Sequence, residues 1–358
     1  YCPSPARVVE NGSDSIYVNG ATLNNLKSVD VRIPIGRLTL VTGVSGSGKS
    51  SLIRGVLRGN IDRFMSSPTL SHHEEKFTDC SRISGLDRVS KVIEVDQSPI
   101  GKTSRSCPAT YTGIWDEVRK LFASTTDAKV RGFGPARFSF NTKGGRCEGC
   151  DGQGVQKIEM NFLPDVRSVC EVCHGDRFSK DTLQITYNRH SVADVLKLNI
   201  KDAATLFSAH PRISKKLKLL DELGLGYLTL GQQSSSLSGG EAQRIKLVSE
   251  LSKFRSDSDV QRSKEIDKTT LFILDEPTVG LHMADVEKLI EALMRLANSG
   301  GTVVVIEHNT DVISSADWVI DLGPEGGEGG GHILFQGTCE NLAQQRDSAT
   351  GAALKNLH

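Results

Sequence analysis

The segment Gly43-Val44-Ser45-Gly46-Ser47-Gly48-Lys49-Ser50 fits G-x-x-x-x-G-K-[ST], and its flanks narrow the fold further. Apolar Leu38-Thr39-Leu40-Val41 before it reads as a buried strand, and Ser51-Leu52-Ile53-Arg54-Gly55-Val56-Leu57 after it as the first turns of a helix. A strand, a glycine loop and a helix in that order point backbone N–H groups at an anion, where the helix dipole also favours negative charge. Gly43, Ser45, Gly46 and Gly48 would wrap phosphates. Lys49 would neutralise them, Ser50 would hold Mg²⁺, and Ser51 follows in the first helical turn. The segment implies binding of a nucleoside triphosphate such as ATP, with a diphosphate such as ADP as its product.

Two later segments say what kind of nucleotide protein this is. Leu237-Ser238-Gly239-Gly240-Glu241-Ala242-Gln243-Arg244 places two glycines before an apolar-periodic helix carrying Ala242, Ile245, Val248 and Leu251. Leu271-Phe272-Ile273-Leu274-Asp275-Glu276-Pro277-Thr278 is a buried strand ending in two carboxylates. Ligand sites of open α/β sheets lie at such strand ends. Asp275 would reach Mg²⁺, and Glu276 would act as general base on the attacking water. The order of these segments resembles the ABC ATPases. That resemblance makes Gln97, after Val92-Ile93-Glu94-Val95, the Q-loop glutamine, and His308, after Val303-Val304-Val305-Ile306, the switch histidine. It also implies composite sites: the phosphate loop of one half and Ser238, Gly239 and Gly240 of another enclose one ATP. A complete site then needs a second ABC half or a homodimer.

Between Gln97 and Leu237 lies a long insertion. It holds Cys147-Glu148-Gly149-Cys150 and Cys170-Glu171-Val172-Cys173, two C-x₂-C pairs nineteen residues apart. Four thiolates at this spacing predict a closed tetrahedral Zn²⁺ site of the structural type, with ligands Cys147, Cys150, Cys170 and Cys173. A glycine trails each pair, so the module reads as a repeat of two knuckles. Cys170-Glu171-Val172-Cys173-His174 also fits a c-type haem attachment pattern, which the second C-x₂-C pair and the lack of a visible export signal argue against. Beside the cysteines, Lys129 to Arg146 carries five cations and no acid, with Phe133, Phe138 and Phe140 interleaved. Cations with aromatics favour contact with a nucleic-acid backbone, which positions a duplex without reading its sequence. Arg137, Lys143 and Arg146 are the candidates, extended by Lys102 and Arg105 after the Q-loop glutamine.

Taken together, Asp96-Gln97-Ser98-Pro99-Ile100-Gly101, Pro108-Ala109-Thr110-Tyr111-Thr112-Gly113, Arg137-Phe138-Ser139-Phe140-Asn141, Gly144-Gly145-Arg146-Cys147-Glu148-Gly149-Cys150 and Asp317 to Gly327 resemble the second ATPase half of the UvrA family of bacterial excision-repair proteins. The resemblance implies ATP-driven recognition of damaged duplex DNA, and handover of the site to UvrB, whose docking region the family carries in its other half. One half where the family has two, starting at Tyr1 without an initiator Met, gives the expectation of an excised C-terminal piece. A UvrA-like paralogue serving drug resistance would share every motif. A transporter ATP-binding subunit predicts a short helical lobe and no cysteine module.

The fold expected is therefore α/β: an ABC-type P-loop ATPase domain with a helical signature lobe and an inserted four-cysteine zinc module. Residues 1–98 would open the ATP-binding lobe and 251–358 close it. Residues 99–250 would form the signature lobe, with the zinc insertion near 130–185. Forty-three basic residues balance forty-three acidic ones, so the basic stretch is a local patch on a neutral chain. No run of eighteen apolar residues and no visible signal peptide predict a cytoplasmic protein without a membrane partner. Eight cysteines, four of them in metal spacing, suit a reducing compartment. His72-His73 reads as part of a surface excursion, and the polar run from Phe254 to Lys268 as an unusually long insertion containing a mobile loop.

Overall fold

The computed structural model describes residue 9 and residues 14–66, 77–101, 103, 105–158, 166–253 and 268–355. Lys102, His72-His73 and nearly all of the 254–268 run lie outside the described residues. The chain forms two compact units, Tyr1–Asp96 with Phe254–His358, and Gln97–Lys253. The sequence reading places these divisions at 98/99 and 250/251.

The first unit is built on a six-stranded sheet. Its order is His332–Gly337, Trp318–Gly323, Leu38–Gly43, Thr302–Ile306, Thr269–Asp275 and Val89–Val95. Every pairing is parallel except that of the edge strand His332–Gly337 with Trp318–Gly323. Parallel strands covered on both faces need apolar residues at successive positions rather than alternation. Leu38–Gly43 and Thr302–Ile306 obey this, since every residue in both is buried. The register sets Val41 beside Ile306, and Ile306 beside Asp275. The carboxyl ends of three neighbouring strands therefore finish level, and the loops they feed emerge together. Met283–Asn298 buries Val286, Leu289, Ile290, Leu293 and Leu296 along one face, the spacing of an amphipathic helix. A second, antiparallel sheet of Val29–Pro34, Ser15–Ala21 and Arg82–Ser84 adds Ile16, Val18, Val31 and Ile33 to the same core.

The second unit is mainly helical. Ile114–Ser124, Pro211–Leu220 and Gly239–Leu251 are its longest α-helices. Pro211–Leu220 continues as a wider, π-helical turn, Asp221–Leu225, in which Gly224 breaks the helix at φ 73°. Its core is aromatic: Trp115 packs on Phe140 and Phe178 at centroid separations of 5.8 and 6.2 Å, and Phe122 on Phe138 at 5.7 Å. Two short strands, Val155–Ile158 and Val166–Val169, pair as an antiparallel ribbon beside the cysteines. No helix among the described residues is long and apolar enough to cross a membrane.

Candidate functional site

In the first unit the phosphate loop is held from behind. Gly43 sits at φ 126°, and a Cβ there would lie 1.9 Å from the Leu322 carbonyl oxygen, so glycine alone fits. Asn25 donates from Nδ2 to the carbonyls of Gly46 and Gly327, both at 2.9 Å. The Gly327 and Gly331 amides donate to the carbonyls of Gly46 and Ser47, each at 3.1 Å. The glycine-rich run Glu325 to Gly331 turns into the strand His332–Gly337. Its glycines also allow backbone to lie directly on the phosphate loop: a Cβ on Gly326 would meet the Ser45 carbonyl oxygen at 2.5 Å.

Lys49 is 6 % exposed, and its ammonium donates to the carbonyls of Gly43 at 2.9 Å and Val44 at 2.7 Å. Burial pulls its pKa down, against the opposing fields of Glu276, Asp321 and Asp275. Ser50 is exposed at the helix start, and Ser51 Oγ accepts from Asn24 Nδ2 at 2.9 Å. The helix that follows opens as a π-helical stretch, Ser51–Arg58, and continues as the α-helix Gly59–Ser66.

Asp275 ends its strand, and burial raises its pKa while Arg54 lowers it and Glu276 raises it further. Arg54 Nη1 lies 3.1 Å from Asp275 Oδ2, and its Nε lies 2.7 Å from Glu94 Oε1. Glu276 adopts φ 46°, a left-handed conformation that a non-glycine residue rarely takes. Its amide donates to the Ile306 carbonyl at 2.9 Å, which fixes the turn. Glu276 Oε1 faces His308 Nε2 at 3.5 Å. A carboxylate beside an imidazole at the end of parallel strands can accept a proton from water and steady an adjacent anion.

In the second unit Ser238 caps the helix Gly239–Leu251. Its Oγ accepts from the Glu241 amide at 3.3 Å, while Glu241 Oε2 accepts from the Ser238 amide at 2.6 Å. This is a capping box, and Tyr227 Oη donates to Glu241 Oε1 at 2.5 Å beside it. Gln97 packs at Gly239, where a Cβ would stand 3.0 Å from Gln97 Cβ and Oε1. Gly240 is buried in the same turn.

The four cysteines Cys147, Cys150, Cys170 and Cys173 are all buried, with their sulfurs within 4.8 Å of one another. Cys147 and Cys170 sulfurs are 4.0 Å apart, and those of Cys150 and Cys173 are 3.6 Å apart. The two knuckles repeat in backbone as well as in sequence. Asp151-Gly152 and His174-Gly175 take left-handed conformations at matching places, φ 51° and 74° in one and 50° and 92° in the other. The Gly154 amide donates to Cys150 Sγ at 3.2 Å. Burial pushes the Cys170 thiol up, but the amides of Cys173 and Val172 outweigh it and bring it to about 7. Burial drives the Cys173 thiol up to about 12. Four convergent sulfurs with amide donors and no further ligand position fit a closed soft-metal site such as structural Zn²⁺.

The basic stretch differs from its sequence reading. Phe138 and Phe140 are fully buried in the aromatic core, so they do not interleave with its cations on a surface. The guanidinium of Arg137 lies 4.5 Å over the Phe133 ring, and its Nε donates to Thr182 Oγ1 at 3.0 Å. Arg146 pairs with Glu148 at 3.3 Å and with Asp151. Both arginines therefore serve internal partners. Lys143 is exposed and Arg105 is half-buried.

Three polar residues at the sheet edge were not anticipated from the sequence. Arg54 reads as an ordinary helix cation. Glu307 and Asp321 sit against apolar runs, and that is the signal that could have marked them. Asp321 is 1 % exposed and accepts from Thr42, Ser348 and Thr350 hydroxyls at 2.7, 2.6 and 2.9 Å.

No protein-family model matches the chain. It is 49 % identical over 355 residues to UvrABC system protein A of Streptococcus pyogenes serotype M1, which covers 99 % of this chain and 36 % of that protein. It is 50 % identical over 342 residues to the protein of the same name from Staphylococcus aureus strain COL, covering 96 % and 34 %. The chain thus spans about a third of the length of these curated relatives. The crystal structure of UvrA2 from Deinococcus radiodurans superposes with a TM-score of 0.81 at 44 % identity, over 99 % of this chain and 41 % of that one. With its phosphate loop, parallel sheet and four-cysteine module in place, the chain is similar to UvrA proteins over nearly its whole length and has the ABC ATPase fold.

Proposed function

We propose that this chain is the second, C-terminal ATPase half of a UvrA-type protein that recognises damaged duplex DNA in excision repair. The observation that carries the reading is the convergence of Lys49, Asp275, Glu276 and His308 at one sheet edge, in a chain whose Gln97-to-Ser238 insertion holds four clustered cysteines. ATP phosphates would take the place of the Gly43 and Val44 carbonyls as partners of Lys49. Mg²⁺, held by Ser50 and Asp275, would supply charge neutralisation on the phosphates. Glu276 would take the proton of the attacking water, and His308 would steady the transferred phosphoryl group. Gln97 would line the nucleotide edge of its unit. Ser238, Gly239 and Gly240 would close on a nucleotide held by a second ABC half or a second copy.

Closure would be a population shift, drawn by tighter binding of ATP in the closed arrangement and reversed by hydrolysis. The four-cysteine module, carrying Zn²⁺, would act as a structural unit that presents Lys143 and Arg105, with Lys102, to a DNA backbone. UvrB would be met through another half of the protein, in a cytoplasmic setting. A second reading, a UvrA-like paralogue serving drug resistance, would share every motif of this chain, which is 44 % identical to UvrA2.

The test is binding of the chain to a labelled duplex, with and without one bulky adduct, across a salt series and with ATP turnover followed in parallel. Salt-dependent binding with adduct preference, weakened in Lys143→Ala, and turnover abolished in Lys49→Ala, support the repair reading. ATP turnover without any duplex binding at low salt would favour the paralogue.

A further inference from the structure

Glu307 is a carboxylate buried at 2 % exposure, at the end of the central strand Thr302–Ile306. Its two oxygens serve two different segments. Oε1 accepts from the Thr278 amide at 3.0 Å and from the Thr278 hydroxyl. Oε2 accepts from the amides of His308 at 2.5 Å and Asn309 at 3.1 Å. Its own amide donates to the Val41 carbonyl at 3.2 Å, two residues before the glycine that opens the phosphate loop.

Thr278 stands two residues beyond Glu276, and His308 is the next residue of the chain. The Glu276–His308 contact of 3.5 Å therefore lies between the two segments that Glu307 ties together. A buried carboxylate without hydrogen-bond donors is costly, so this arrangement resists relaxation. The strained backbone of Glu276 needs such over-determination to persist.

We infer that Glu307 is a positioning residue for ATP hydrolysis: it locks the segment after Glu276 to the segment bearing His308, and so sets the distance between them. The inference rests on the ATPase reading above. It gives Glu307 no contact with nucleotide or water. A glutamine in its place keeps one acceptor oxygen and gains an NH₂ that cannot accept. It must release either Thr278 or the His308–Asn309 amides.

The test is steady-state ATP hydrolysis by the full chain, with binding of a non-hydrolysable ATP analogue measured beside it, for the parent, Glu307→Gln, His308→Ala and the double variant. Displacement of a reacting pair by about an ångström costs up to about a hundredfold. Glu307→Gln should lower kcat by about tenfold to a hundredfold and change analogue affinity by less than about threefold. In the His308→Ala background the same change should add little, because the pair it positions is already broken. Thr278→Val, which removes one donor and keeps the charge, should show a smaller loss of the same kind. It carries the test if Glu307→Gln does not fold.

Full additivity of Glu307→Gln with His308→Ala, or an unchanged kcat, would overturn the inference while leaving an active parent as evidence for the ATPase reading. A parent without turnover at any chain concentration, indistinguishable from Lys49→Ala, would overturn both.

Discussion

Arg54 holds Asp275 through a 3.1 Å contact to Oδ2, while its Nε engages Glu94 at 2.7 Å. The carboxylate assigned to Mg²⁺ is thus shared with a side chain from the first turns of the phosphate-loop helix. A metal approaching Asp275 must compete with that guanidinium. Arg54 is about two-fifths exposed, which keeps the competition modest. Arg54→Ala should lower the Mg²⁺ concentration for half-maximal turnover by about two- to fivefold. A magnesium titration of the ATPase rate checks it, and a weaker Mg²⁺ requirement in the parent would contradict it.

Glu276→Gln should lower kcat by about a hundredfold to ten-thousandfold, the usual worth of a general base, while ATP still binds. The variant should accumulate in a closed, ATP-dependent dimer. Single-turnover kinetics and light scattering with ATP read the two effects separately. Retention of the parent rate would remove Glu276 from the role of base.

A chelator should release about one Zn²⁺ per chain, the count that four closed ligands allow. Hydrogen exchange should then rise across Cys147 to Cys173. ATP-analogue binding should stay within about twofold, because metal energy is folding energy of the module that holds it. Cys150→Ser should reproduce the loss without chelator. Parallel loss of analogue binding would show that the two units fold as one.

Acid should loosen the cap of the helix Gly239–Leu251. Burial pushes the Glu241 carboxyl up, but the Tyr227 hydroxyl and the Ser238 amide outweigh it, leaving the pKa below the ordinary carboxylate value. A depressed folded pKa means stability that is fully present above about 4.3, the unfolded value, and lost as pH falls through the folded one. Glu241→Gln should remove that acid-dependent share and cost about 1 kcal/mol at neutral pH, the usual worth of a cap. Chemical denaturation at pH 7 and at successive acid pH values checks both.

Much of the candidate site was legible because each of its segments ends a strand. An apolar run followed by Gly43, by Asp275-Glu276 or by His308 announces a parallel strand and what hangs from its carboxyl end, and the register then levels those ends. The cysteine cluster was legible from spacing alone, since each C-x₂-C turn is local. What escaped was tertiary. Phe138 and Phe140 alternate with polar residues as a surface strip would, but the 3₁₀ turn Pro135–Phe138 turns them inward against Trp115, Phe122 and Phe178. Arg137 and Arg146 are cations in sequence and satisfied partners in space. Glu307 looks like one residue of a motif, and only its four donors, from two segments, reveal what it ties.

The phosphate loop is completed by residues that come very late in the chain. Gly327 and Gly331 bond to its carbonyls, and the Leu322 carbonyl packs against Gly43. Its strand Leu38–Gly43 is flanked only by Thr302–Ile306 and Trp318–Gly323. A growing polypeptide on the ribosome therefore carries the nucleotide motif from Gly43 until Gly331 is added without all the neighbours that shape it. Competence to grip a phosphate arrives only once Gly331 has been made, so a message interrupted before it yields a chain with the motif written in it and no site.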